Sequence, residues 1–347
     1  MQILQDDFDK SLAELAASAT TEAELEAIAA SAPQMLNEVL NTVPKATLES
    51  IKLDAYKGGL DKKRQTHLNF IARNYKRWKD GFDALELLIE ICIEAGANFN
   101  RNSRTAADKS SEILFDTLSR LHAKGCLIAK EIACLLTNGF ADGAHARWRA
   151  LHEVTVTSKF LAEKGTDTTE RYIAHQHVDS YKGACQHKAY EARLQAVAPT
   201  EEIIASLKAK YDEAISRYGN EFANSYGWAG HALGKKKVNF ADIEKAVSFD
   251  HWRPYYKWAS QNIHASAKTI RFSLGTTETD ADLLLVGSSD AGMTDPAHSM
   301  AISLSQITVN LLSISPNLDN LVTMKMIIAL SDEIGELFLK AQKQAPL

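Results

Sequence analysis

Residues 84–97 read ALELLIEICIEAGA. Leu85, Leu88, Ile89, Cys92 and Ile93 recur at steps of three and four, the spacing that lines apolar side chains along one face of an α-helix. The stretch ILFDTLSRLHAKGCLIAKEIACLL at 113–136 keeps the same mixed period through Leu114, Leu118, Leu121, Ile128, Ile132 and Leu136. No comparable run alternates with period two, the mark of a half-buried strand. No proline stands between Pro44 and Pro199. Proline removes a backbone donor and clashes with the preceding turn, so a proline-free stretch rich in Ala, Leu, Glu and Lys can sustain long helices. The predicted fold class is therefore all-α. Short connections make sequential helices antiparallel neighbours, which gives an antiparallel helical bundle of long helices with a small N-terminal helical segment.

Composition narrows the class further. With 45% hydrophobic and 24% charged residues over 347 positions, the chain is neither disordered, collagen-like nor a small disulfide scaffold. Scarce Gly (17) and Pro (7) argue against a turn-rich β-sandwich. Residues 1–60 hold 10 acidic and 4 basic side chains, while the remainder holds 34 and 35. A near-neutral body behind an acidic segment is not the footprint of a dedicated duplex-DNA binder, though a local patch could still touch RNA. The N-terminus has no basic region followed by an apolar run, so no secretory signal is expected. No stretch reaches the roughly 18–20 apolar residues of a membrane span, so no membrane partner is expected and a cytoplasmic location is. Cys92, Cys126, Cys134 and Cys185 form no CxxC pair; the expectation is reduced thiols in a cytosolic core.

Helices are predicted over 4–18, 21–31, 34–42 and 45–57. Thr20 or Thr21 would cap the second, and Pro33 and Pro44 would open the next two. Lys57-Gly58-Gly59 is the best linker, dividing the chain into an acidic N-terminal helical segment, 1–59, and a main helical bundle, 60–347. Further helices are predicted over 61–97, 105–138, 142–163, 168–196, 199–218, 239–247, 252–270, 296–313 and 317–341. The Gly-rich, basic stretch 227–237 and the polar stretch 275–295 read as loops.

Three polar clusters stand out. In the first, His145, Arg149, His152 and Glu153 share one side of a helix, and Arg149 and Glu153 are four apart, the spacing of an intrahelical ion pair. If the pair lines a cleft, the planar fork of Arg149 suits a phosphate or carboxylate. In the second, His175 and Asp179 are four apart, so a carboxylate can orient the imidazole as a general base or metal ligand needs, with Tyr172 one turn earlier. In the third, Tyr256, Ser260 and His264 would form one stripe of the 252–270 helix. No Walker A motif, Rossmann fingerprint, EF-hand loop, HExxH or nucleophile-elbow motif occurs.

The runs LLTNGFADGAHARWRALHEVTVTSKFLAEKG, ERYIAHQHVDSYK and YYKWASQNIHASAK resemble the bacterial family of unknown function DUF5677. The resemblance spans about 85–270 and rests on Arg149 with Glu153, Tyr172 with His175, and Ser260 with His264. A looser likeness is to the HEPN superfamily of all-helical bundles, many of them metal-independent ribonucleases of toxin–antitoxin and phage-defence systems. That likeness implies a homodimer in which an Arg stabilises phosphate charge and a His does acid–base work. Arg147 and His152 have the family's spacing, as do Lys257 and His264 with Lys in place of Arg. Five residues turn a helix by about 140°, so geometry favours Arg149 with Glu153 as the polar pair.

The expectation is thus a metal-independent endoribonuclease with no cofactor. Its candidate catalytic residues are Arg149, His152, Glu153, His175, Ser260 and His264. One alternative is a non-catalytic binding or regulatory protein, whose acidic N-terminal segment docks a basic protein partner or the chain's own Lys235, Lys236 and Lys237. The other is a metal-dependent bundle enzyme with Glu153, His175, Asp179 and His264 as ligands.

Overall fold

Helical periodicity in the sequence becomes helix almost throughout the computed structural model, which describes residues 3–103, 112–264 and 267–344. No strand occurs among the described residues. The chain divides into two compact units, Met1–Phe70 and Ile71–Leu347.

Unit 1 contains α1 (Ile3–Ser18) and α2 (Glu22–Asp54). Thr21 caps α2 through a capping box. The Glu24 amide donates to Thr21 Oγ1 at 3.3 Å and the Thr21 amide to Glu24 Oε2 at 3.1 Å. The three short helices predicted over 21–57 are one helix of 33 residues with Pro33 and Pro44 inside it. Each proline forfeits one backbone hydrogen bond, but its fixed φ is itself helical and the turns on either side carry on. A single π-turn, Ala55–Gly59, follows, and Gly58 adopts a φ of 125° that favours glycine. α3 (Leu60–Ser103) starts there.

Unit 2 is built on the later part of α3 with α4 (Glu112–Thr137), α5 (Ala141–Ala174), α11 (Thr294–Leu312) and α12 (Leu318–Lys343). Residues 105–111 of the predicted 105–138 helix lie outside the described residues. α3 and α4 run antiparallel. Phe99 stacks on Phe115 at 5.9 Å, and at the other end the Asn74 side-chain amide donates to the Leu136 and Thr137 carbonyls at 3.0 and 2.9 Å. Those are carbonyls the end of α4 leaves without helical partners. Trp78 and Phe82 close on Phe338 of α12, both at 5.5 Å between ring centroids. Gly81 permits that approach, since a Cβ there would lie 2.7 Å from the Phe338 ring. α5 packs against α4 and α11, and α11 against α12.

Between these come α6 (Gln176–Leu194), α7 (Glu201–Tyr218), α8 (Gly227–Leu233), α9 (Phe240–Ala246) and α10 (Arg253–Gln261). Three expectations are corrected here. The predicted 168–196 helix is interrupted at His175. The predicted 227–237 loop begins as a helix, because Trp228 is buried edge-on against Phe160 and Tyr172, at 5.7 and 5.0 Å. The predicted 252–270 helix ends at Gln261; its residues 265 and 266 lie outside the described residues. The four cysteines are free, with Cys92 and Cys126 buried. Among the described residues no helix is long and apolar enough to cross a membrane.

Candidate functional site

α5 supplies one wall of a polar cluster and the short helices α9 and α10 supply the other. Asn239 caps α9 through a capping box with Asp242, which starts the helix in the register that buries Ile243 and Glu244. The chain leaves α9 through Ser248, whose φ of 60° is left-handed, and the Phe249 amide bonds back to the Glu244 carbonyl at 2.8 Å. This turn returns Arg253, at the start of α10, to Glu244.

Glu244 is 0% exposed and bound on both oxygens. His152 Nε2 lies 2.9 Å from Oε1, and Arg253 donates to Oε2 at 2.6 Å. His152 is 1% exposed. Two buried carboxylate contacts offset the cost of taking that charge out of water. On the same side of α5, Arg149 pairs with Glu153 at 2.8 Å. The Tyr256 hydroxyl donates to the same Glu153 oxygen. Arg149 and Arg253 each lie over the Tyr256 ring, at 4.8 and 5.0 Å from its centroid, as cation–π contacts. Burial, then the bond to Glu153, push the Tyr256 phenol well above its ordinary range, so it remains a proton donor. Tyr226, raised by burial and by the Glu153 charge, stands nearby. The side chains of Arg149, Glu153 and Arg253 are 30%, 33% and 31% exposed, and they form the solvent edge of the cluster. The Arg149 Nε is buried without an acceptor.

Behind the cluster, His145 is fully buried, stacked on Trp148 at 5.5 Å and edge-on to Trp258 at 4.8 Å. Neither ring nitrogen has a hydrogen-bond partner, and burial pushes the ring down to about 4.

Of the residues predicted from sequence, the fold brings together Arg149, His152 and Glu153, with Tyr256 between them. Arg147 turns to Glu131 on α4, away from His152. His175 closes the α5–α6 junction: its Nε2 lies 2.9 Å from the Asn224 carbonyl and its Nδ1 3.4 Å from Asp179. Ser260 donates to the Tyr256 carbonyl one turn back, at 2.7 Å. His264 is exposed beyond the end of α10 and does not share the stripe expected for it. Among the described residues no group of three or more His, Cys, Asp or Glu is arranged to hold a metal ion. Lys235 pairs with Asp242 at 2.7 Å and Lys236 faces Glu221 at 3.9 Å. Sequence reasoning missed Glu244 and Arg253. A helix over 239–247 was expected, but no spacing links residue 244 to residue 152.

DUF5677, a family of unknown function, matches residues 115–282. Over that stretch, just under half of its length, the chain is similar to this family. The match begins and ends later than the 85–270 expected, and all six cluster residues fall inside it. No curated protein and no solved structure matches the chain.

Proposed function

We propose that the DUF5677 region is an endoribonuclease that needs no metal, of the kind the HEPN likeness implies, with its centre at Arg149, Glu153, Arg253 and Tyr256. The observation that carries this reading is the pair of part-exposed guanidiniums over one tyrosine ring, beside a part-exposed carboxylate. Guanidinium forks suit the non-bridging oxygens of a phosphodiester. Glu153 takes the proton of the 2′-hydroxyl as that oxygen attacks the adjacent phosphorus; the bond to the 5′-oxygen breaks, and that oxygen leaves as a hydroxyl with a proton from water. Tyr256 and Arg149 hold the carboxylate in place. The burial of His152 supports a positioning role for it: His152 holds Glu244, and Glu244 holds Arg253. The acid–base work expected of His152 thereby passes to Glu153.

The same burial favours a second reading, in which the cluster binds an RNA phosphate without cutting it. End-labelled single-stranded RNA, incubated in EDTA with wild type and with Arg149→Ala, separates the two. Cleavage by wild type and its loss in the variant support the nuclease. Binding that weakens in the variant, with the strand intact, supports the binding protein. RNA neither bound nor cut overturns both.

A further inference from the structure

Unit 1 holds a helix that its own fold leaves uncovered. α2 spans about 50 Å at 1.5 Å per residue, and none of its side chains is buried. α1 packs along one side of it, where Ile28, Met35, Val39 and Val43 are half-buried. The neighbouring side carries a repeat of eleven residues. Leu25, Ala29 and Pro33 recur as Leu36, Leu40 and Pro44, and the first two again as Thr47 and Ile51. Steps of four, four and three keep these side chains in one nearly straight strip. All eight are exposed, Leu40 by 59% and Ile51 by 61%, and none is charged. Leu4 of α1 and the C-terminal part of the strip line a shallow groove of ≈ 290 Å³. An apolar strip this long marks an interface.

Charge along α2 identifies what covers it. The start carries Glu22, Glu24 and Glu26 with no base; the end carries Lys45, Lys52 and, just beyond, Lys57 against Glu49 and Asp54. A second α2 running antiparallel in the register that sets Leu25 against Ile51, Ala29 against Thr47 and Leu36 against Leu40 brings the basic end, with Lys52 and Lys57, alongside the acidic start, with Glu22, Glu24 and Glu26. A parallel copy would stack like charges and oppose identical residues. We propose that the strip is the seat of a second copy of this chain, with the two α2 helices antiparallel about a two-fold axis between Leu36 and Leu40. Such an interface is isologous and closes on itself. The inference stands apart from the nuclease reading, since it uses unit 1 alone.

Light scattering on the full chain at micromolar concentration and low salt should give a dimer. Glu22→Lys with Glu26→Lys makes α2 basic at both ends; Lys52→Glu with Lys57→Glu makes it acidic at both ends. Thr21 and Glu24 stay in place, so the capping box survives, and circular dichroism checks helix content. Each variant alone should dimerise at least about tenfold more weakly, because like charges now face each other. Their equal mixture should recover the dimer as a heterodimer. Leu40→Glu should give a monomer of unchanged helicity. A monomeric wild type, charge variants that dimerise as wild type does, or a mixture that stays monomeric would overturn the proposal. If Leu40→Glu loses helicity, the charge variants alone decide.

Discussion

His152 Nε2 lies 2.9 Å from Glu244 Oε1, and neither side chain reaches solvent. The contact ties the middle of α5 to a seven-residue helix that makes little core of its own. Its second carboxylate oxygen fixes Arg253, and Arg253 with Arg149 fixes the Tyr256 ring. Position in the candidate site is thus inherited from a buried ion cluster.

Removing Glu244 leaves the buried His152 Nε2 without its partner and Arg253 without its carboxylate. Glu244→Ala should lower the stability of unit 2 by about 3 kcal/mol. Glu153→Gln, at the exposed edge, should cost less than about 1 kcal/mol. Thermal denaturation of both variants checks the contrast, and equal losses would place the two carboxylates in equivalent surroundings.

Ser248 pays for its left-handed backbone, which glycine adopts freely. Ser248→Gly should raise stability by about 1 kcal/mol. Denaturant titration checks this. A loss would show that the serine side chain contributes more than its backbone costs.

Acid should destabilise the fold through its buried imidazoles. His122, with Nε2 3.1 Å from Thr308 Oγ1, and the unpartnered His145 are both pushed down by burial to about 4. Unfolded, each takes up a proton near pH 6.5. The unfolded chain therefore binds more protons between about pH 6.5 and 4, and stability falls as pH drops through that window, by about 1 kcal/mol per pH unit for each histidine. Asp295, raised by burial, works in the opposite direction. Urea midpoints measured from pH 7 to 4 should fall, and less steeply in His145→Phe.

Gly96 faces His122 so closely that a Cβ would lie 2.3 Å from its ring. Gly96→Ala should cost about 1–3 kcal/mol, because the buried ring or its helix must shift to make room. An unchanged melting temperature would mean that α3 and α4 can separate there without loss.

Local pattern made most of the fold legible. The steps of three and four in 84–97 and 113–136 became α3 and α4, and Arg149 found Glu153 one turn on. Pro33 and Pro44 misled because a proline starts a helix and continues one with the same φ. Residues 227–233 misled because glycines hid a helix that Trp228 anchors by tertiary contact. Two of the six residues of the candidate site were out of reach for a like reason. Glu244 and Arg253 meet His152 and Tyr256 only through the turn at Ser248, and a left-handed serine has no signature in the sequence.

The most direct measurement is the chemistry of RNA ends after incubation with wild type and Glu153→Gln in EDTA. The account predicts 2′,3′-cyclic phosphate and 5′-hydroxyl ends with wild type, and an intact strand with a variant that remains folded. Intact RNA with wild type, or cleavage that persists in Glu153→Gln, would contradict it.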